Sequence, residues 1–267
     1  MAIEPQLDEL CVVLRHAGVE EVMSRFRQTR HRYKADGSLV TEADLAVQRR
    51  IAGELAERWP ELPLLGEEMP KEEQARMLAH NDAGIWCLDP LDGTSNFAGG
   101  FPFFSVSLAL IRRGVAVIGL VYDPVRDECF AAQRGAGAWL NGERLGLEGQ
   151  DRELDDCLAL VDLKRLSEDL IRRLGANPPY RSQRSLGSVA LEWCWLAAGR
   201  FQHYLHGGQR LWDYAAGQLI LEQAGGAGCL RSPERPGCRE DWDLSKRMAV
   251  AAVGRKLLGD WQAWVER

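Results

Sequence analysis

Three segments, two with paired carboxylates and one with a single acid, hold most of the chemistry this chain could perform. Asp89-Pro90-Leu91-Asp92-Gly93-Thr94-Ser95-Asn96-Phe97 sets two acids three residues apart around a proline. Pro90 fixes its own φ and pushes Asp89 toward an extended conformation, so both carboxylates can be aimed at one point. With the backbone carbonyl of Leu91 they offer hard oxygen donors, which suit Mg²⁺ or a close relative rather than Zn²⁺. Gly93 lets the backbone come close to a ligand, and the amides of Gly93, Thr94 and Ser95 would open a helix whose positive end suits phosphate. By itself the segment also reads as an acidic surface turn, since Asp-Pro and Asp-Gly are ordinary turn dipeptides.

Leu65-Gly66-Glu67-Glu68 repeats the form of an apolar run ending in adjacent acids, although alone it reads equally as a solvated loop. Leu211-Trp212-Asp213-Tyr214-Ala215-Ala216-Gly217 puts an acid at a helix start, where satisfying amides and complementing the dipole would be reason enough for it.

The elements that must carry these acids can be read from periodicity. Leu62–Leu65 and Ile85–Leu88 are short apolar runs of strand type that deliver the first two acidic clusters to a sheet edge. An amphipathic helix is expected from Gln6 to about Phe26. A second begins at Thr41, where Thr41-Glu42-Ala43-Asp44 has the form of a capping box, and ends before Pro60. Phe104–Leu110, Val115–Tyr122 and Cys129–Gln133 have the pattern of an antiparallel meander, and Asn141-Gly142 marks a tight turn. From about Asp151 strands and helices alternate: strands at 158–161, 180–184, 201–206 and 248–253, helices at 163–174, 187–198, 212–224 and 257–265. That alternation predicts helices on both sides of a sheet.

In order and spacing, Gly66-Glu67-Glu68, Asp89-Pro90-Leu91-Asp92-Gly93-Thr94 and Trp212-Asp213-Tyr214-Ala215-Ala216-Gly217 resemble the motifs of the inositol-monophosphatase family, and the resemblance runs from Lys34 through Gly226. It implies an α+β fold, the layered αβαβα sandwich of the inositol-monophosphatase and fructose-1,6-bisphosphatase type. An N-terminal α+β part (1–150) would carry Glu67 and Asp89–Asp92, and a C-terminal α/β part (151–267) would carry Asp213 and the substrate pocket. It also implies a Mg²⁺-dependent phosphomonoesterase acting on inositol 1-phosphate or a similar small phosphorylated alcohol. Two or three ions are expected per site, with Mn²⁺ as the near alternative, together with inhibition by Li⁺ and a homodimeric state. By the same resemblance Glu67, Asp89 and the Leu91 carbonyl hold the first ion, and Asp89, Asp92 and Asp213 the second. Thr94, hydrogen-bonded to Asp44, would with Glu67 orient and deprotonate the attacking water. Asp44 thus has both a capping role and this one.

Asp92, Gly93, Thr94, Gly187, Ser188 and Lys34 are the matching substrate contacts, with Lys34 in a polar loop over the site. His206 departs from the pattern, because relatives acting on inositol phosphates commonly carry Glu there. An imidazole accepts or donates one bond where a carboxylate accepts several, and when protonated it favours an anionic substrate. That leaves 3′-phosphoadenosine 5′-phosphate, fructose 1,6-bisphosphate or histidinol phosphate as alternative substrates. A regulatory binding protein on the same fold is the alternative of another class.

Composition bounds the rest. At 267 residues and 46% hydrophobic, the chain can bury a large core. A net charge of −6, with 33 basic residues scattered among 39 acids, leaves no basic footprint, so nucleic acid is a poor candidate partner. No apolar stretch is long enough to span a membrane, and Met1–Leu10 carries no secretory signal. Seven dispersed cysteines without a C-x-x-C pair point to reduced thiols and a cytoplasmic location.

Overall fold

The computed structural model of the protein describes residues 4–28, 31–33, 39–79, 83–150, 152–232, 237–238 and 243–267. Strand β1 (His31–Tyr33) pairs with β2 (Leu39–Thr41) in a small antiparallel hairpin. Seven strands form the first large sheet in sequential order: β3 (Leu64–Gly66), β4 (Ile85–Asp92), β5 (Ser105–Arg112), β6 (Val115–Asp123), β7 (Glu128–Gln133), β8 (Gly137–Leu140) and β9 (Glu143–Arg144). Only β3 and β4 run parallel; the meander expected after Phe104 supplies the antiparallel remainder. The second sheet takes β10 (Leu158–Asp162), β11 (Ser182–Arg184), β12 (His203–Gln209), β13 (Ala227–Arg231) and β14 (Arg247–Ala252) in the order β11-β10-β12-β14-β13.

Helices α1 (Leu7–Ala17) and α2 (Glu42–Arg58) cover one face of the first sheet, burying Leu10, Val13, Leu14, Val47, Ile51 and Leu55 against Trp86, Leu88, Leu108 and Leu110. Short helices α3 (Lys71–Ala79) and α4 (Thr94–Gly99) flank the two acidic clusters. Beyond α5 (Glu168–Ala176), α6 (Val189–Ala197) and α7 (Leu211–Gln223) lie between the two sheets, and α5 with α8 (Arg255–Val265) closes the far face of the second sheet through Leu170, Leu174, Trp261 and Val265. The order is helices, sheet, helices, sheet, helices: the αβαβα sandwich expected from the sequence motifs.

The middle layer is packed tightly enough to exclude side chains. A Cβ added to Gly217 would lie 2.5 Å from Cβ of Trp193, and one on Gly119 would lie 2.9 Å from the Ala216 carbonyl. Helix α7 is thereby seated on β6 and against α6 with no intervening side chain, and this fixes where its N-terminal acid points.

Three expectations need correction. The first helix ends at Ala17 and continues as a π turn (Gly18–Val22) and a 3₁₀ turn (Met23–Arg25). The helix expected from Leu163 starts at Glu168, capped by Ser167, because the backbone at Arg165–Leu166 first crosses directly over Gly207, where any Cβ would collide with it. The reading of all cysteines as reduced also fails, since Cys229 of β13 is disulfide-bonded to Cys238 with Cα atoms 5.0 Å apart. A separation of nine residues carries no motif, so only the return of the chain to β13 reveals the pair. Cys11, Cys87, Cys129, Cys157 and Cys194 are free thiols. Among the described residues no helix is long and apolar enough to cross a membrane.

Candidate functional site

Asp89 and Asp92 lie at the C-terminal end of β4. Side chains alternate along a strand, so acids three residues apart should face opposite sides. They do not, because the register against β5 slips between them: Asp89 pairs with Ser107 and Asp92 with Ser105, setting two intervening residues against one. The bulge restores both acids to the side facing α6 and α7, and Pro90 tolerates it because it has no N–H to leave unpaired. Asp89 is 2% exposed and its Oδ1 accepts the Leu91 N–H at 3.1 Å.

Asp92 reaches across to the second sheet's helices. Its Oδ2 accepts the Ser188 hydroxyl at 2.5 Å and the Ala190 N–H at 2.8 Å, while Oδ1 accepts the Val189 N–H at 3.1 Å. The carboxylate therefore caps α6, whose first-turn amides otherwise lack partners. Asp213, in the first turn of α7, accepts the Arg210 N–H at 2.7 Å. The Ser107 hydroxyl lies 3.3 Å from the Trp212 carbonyl it donates to, and this ties the start of α7 to the strand position opposite Asp89.

Glu67 follows β3, and its N–H donates to the Leu88 carbonyl at 3.2 Å, one residue before Asp89. The glycine before it leaves room for Gln48: a Cβ on Gly66 would lie 2.5 Å from Gln48 Oε1, which accepts the Glu68 N–H at 3.2 Å. From α3, buried Gln74 donates to the carbonyls of Gly66 and Glu67 at 2.9 and 3.1 Å. The capping box at Thr41 is formed as expected, with Asp44 Oδ2 accepting the Thr41 N–H at 2.8 Å and its hydroxyl at 2.5 Å. The other carboxylate oxygen of Asp44 lies 3.3 Å from the Thr94 hydroxyl, which also lies 2.9 Å from the Leu91 carbonyl.

The electrostatics identify these acids as one group. Burial and then repulsion from Glu67, Asp92, Asp213 and Asp44 push Asp89 well above the usual carboxylate range. Burial raises Asp92 to about 6 against the hydrogen bonds from Ser188, Ala190 and Val189. Burial followed by Glu67 and Asp92 raises Asp213 well above its ordinary value. Burial raises Asp44 to about 6, opposed by its bonds to Thr41. Among the described residues none of Asp89, Asp92 and Asp213 has an ion-pair partner. Nor, among the described residues, do three or more His, Cys, Asp or Glu side chains close on a single point as a finished coordination shell. Each of Asp89, Asp92 and Asp213 instead accepts at least one backbone N–H. The donor chemistry, four carboxylates and a carbonyl, fits a hard divalent cation such as Mg²⁺.

The predicted substrate contacts divide. Gly93 has φ +88° and opens α4; a Cβ there would lie 3.1 to 3.2 Å from the Phe103 and Gly187 carbonyls and the Ser188 side chain. Gly187 is exposed beside it, whereas Ser188 is buried with its hydroxyl given to Asp92. His206 is 3% exposed; Nδ1 accepts the Gly208 N–H at 3.1 Å and Nε2 lies 3.8 Å from Asp162. Burial lowers its pKa to about 4, against the pull of Asp162, so the ring is neutral near pH 7. Lys34 lies outside the described residues.

Sequence reasoning missed several residues that organise the site. Ser105 and Ser107 sit at alternate positions of β5, a spacing that signals a shared polar face. Asn96 donates at 2.7 Å to the carbonyls of both Phe103 and Leu186, joining the β4 loop to the segment before α6. Glu192 accepts the N–H groups of Leu186 and Gly187 at 2.9 and 3.1 Å, so the Leu186 peptide is held from both sides. A lone Glu in an apolar helix gave no such signal.

Comparison with known proteins gives concordant matches. A family model described as Inositol monophosphatase family matches residues 6–263. The chain is 37% identical over 202 residues to a protein named Nus factor SuhB from Pasteurella multocida, covering 73% of each. It is 34% identical over 197 residues to an inositol-1-monophosphatase from Mesorhizobium japonicum, covering 72% of each. The crystal structure of the extragenic suppressor protein suhB from Bartonella henselae superposes with a TM-score of 0.82 at 27% identity, over 97% of this chain and 98% of that one.

Proposed function

The chain belongs to the inositol monophosphatase family of phosphoric monoester hydrolases, and from that footing we propose that it hydrolyses inositol 1-phosphate or a similar small phosphorylated alcohol with Mg²⁺ at the Asp89 site. The observation that carries this reading is the slipped register of β4, which puts Asp89 and Asp92 on one side, opposite Asp213, without an ion-pair partner among the described residues. Glu67, Asp89, Asp92, Asp213 and the Leu91 carbonyl would hold two divalent ions, with a third, weaker one beside Glu67. When bound, such ions offset the charge of a phosphate monoester and lower the pKa of water.

The protein's own groups account for the rest of the chemistry. The Thr94 hydroxyl can receive a proton from the attacking water while giving its own to Oδ1 of Asp44, a carboxylate kept basic enough by burial to accept it. Glu67 would orient the same water. Gly93 brings the backbone near the phosphate, and Gly187 borders the alcohol. Attack is direct, with no phosphoenzyme. Li⁺ inhibition, a homodimer and a cytoplasmic location belong to the same reading.

The test is phosphate release from inositol 1-phosphate in Mg²⁺ buffer, with and without a chelator. Asp89→Asn should abolish chelator-sensitive turnover while leaving the circular-dichroism spectrum unchanged. Near-normal turnover by the variant in saturating Mg²⁺ would overturn the assignment. The name Nus factor attached to the Pasteurella multocida relative supports a second reading, a regulatory binding role on the same fold. The acid set, complete in this chain, favours catalysis.

A further inference from the structure

Resting on the hydrolase reading, the geometry points to Arg165 as a specificity-determining residue: we propose that it selects phosphomonoesters whose alcohol portion carries a second anionic group.

Arg165 lies in the loop between β10 and α5, on the segment that crosses over the end of β12. Gly207 is bare beneath its backbone, and a Cβ on Gly208 would lie only 3.0 Å from its Cδ. Its Nη1 donates to the Gly208 carbonyl at 3.3 Å. Gly208 is five residues before Asp213 and donates its own N–H to His206. The loop thus fastens the guanidinium over the turn that delivers Asp213, close enough to favour the charged form of that acid and to oppose a charge on His206.

Three facts leave this charge available. Arg165 is exposed and forms no ion pair among the described residues. Asp162, paired with His206 in the β10–β12 register, has one oxygen occupied by the Lys164 N–H at 2.7 Å and the other facing His206 at 3.8 Å. His206 itself is buried and brings no negative charge, whereas a carboxylate at that position would stand two residues from Gly208 and compete for the guanidinium. Lys164, next in the loop, is also exposed and without an ion pair among the described residues, so the rim has a positive edge. A planar, permanently charged fork is suited to carboxylate or phosphate oxygens.

Glycerol 3-phosphate and 3-phosphoglycerate differ by a hydroxymethyl group against a carboxylate and make the first substrate pair. Inositol 1-phosphate and inositol 1,4-bisphosphate make the second, so the two pairs separate carboxylate from phosphate as the preferred anion. The wild type should favour the doubly anionic member of at least one pair by on the order of tenfold in kcat/KM, the size of one charge-assisted hydrogen bond at a partly exposed site. Arg165→Gln should bring that ratio to within about twofold of unity and Arg165→Lys should restore part of it, with the preference shrinking as salt rises. Calorimetric titration with inert phosphonate analogues of the same pairs gives the comparison without turnover. Equal kcat/KM for both members in the wild type, or a ratio retained by Arg165→Gln, overturns the proposal. Absence of chelator-sensitive phosphate release from every member of both pairs would instead overturn the hydrolase reading on which it rests.

Discussion

Replacing His203 by Phe should remove a large part of the protein's acid sensitivity. His203 opens β12 with its ring fully buried, 4.5 Å from the Trp261 ring and 5.7 Å from that of Tyr180, centroid to centroid. Among the described residues neither ring nitrogen has a hydrogen-bond partner. Burial alone lowers its pKa from 6.5 to about 3. The folded state therefore binds fewer protons than the unfolded chain, whose imidazole titrates near its ordinary value. Stability from this residue is complete above about pH 6.5 and falls as pH drops toward about 3. At about pH 4.5 the unfolded ring is about 99% protonated and the folded ring nearly neutral, a difference of about 3 kcal/mol. Urea unfolding of wild type and His203→Phe at about pH 7.5 and about pH 4.5 measures this directly. The variant should match or exceed wild-type stability at the higher pH, because a ring of similar shape replaces two unpaired nitrogens. At the lower pH it should retain about 3 kcal/mol that the wild type loses, and comparing the two proteins cancels the titrating carboxylates and His206. An equal loss in both, within about 0.5 kcal/mol, would refute the reasoning.

Two further outcomes follow from the packing around the acids. Ser188→Ala removes the hydroxyl that donates to Asp92 at 2.5 Å, and it should lower unfolding stability without added metal by about 1–3 kcal/mol, read as a drop in melting temperature. An unchanged melting temperature would mean that Asp92 does not depend on this bond. Gly207→Ala places a methyl against the Arg165 carbonyl, which can yield only by displacing backbone. It should cost about 1–3 kcal/mol and also shrink the preference for doubly anionic substrates, and a variant that shows the loss of stability with an intact preference would separate the loop's position from its selectivity.

The motifs made the acids legible as a group, but their geometry depends on partners elsewhere in the chain. Asp89-Pro90-Leu91-Asp92 announces two carboxylates, yet nothing within it says that β5 will pair with one residue too few and swing both to the same side. The strands of the first sheet were readable because the apolar runs at 85–88, 104–110 and 115–122 are strong and closely spaced, whereas the layering came from the resemblance of the acidic motifs. Strand β13 was not, since Gly225-Gly226-Ala227-Gly228 resembles a turn and becomes a strand only by pairing with β14. His206 illustrates the limit for single residues: read as a ring offered to substrate, it is instead turned to Gly208 and Asp162, the latter from a strand more than forty residues earlier. Asp44 went the other way, because a capping box is local chemistry and four consecutive residues suffice to state it.

The slipped pairing at Pro90 and Leu91 also makes the length of this stretch a functional quantity. Excising either residue would leave every acid in the sequence and permit an uninterrupted ladder with β5, tidier as hydrogen bonding. Both acids, then two positions apart on a regular strand, would still face α6 and α7, but the bulge would be gone, and with it the present places of the Leu91 N–H that Asp89 accepts and of the Leu91 carbonyl beside the Thr94 hydroxyl. A single-codon deletion here therefore tests the bulge apart from the acids: it should keep the carboxylates on one side and impair turnover through the displaced Leu91 backbone alone.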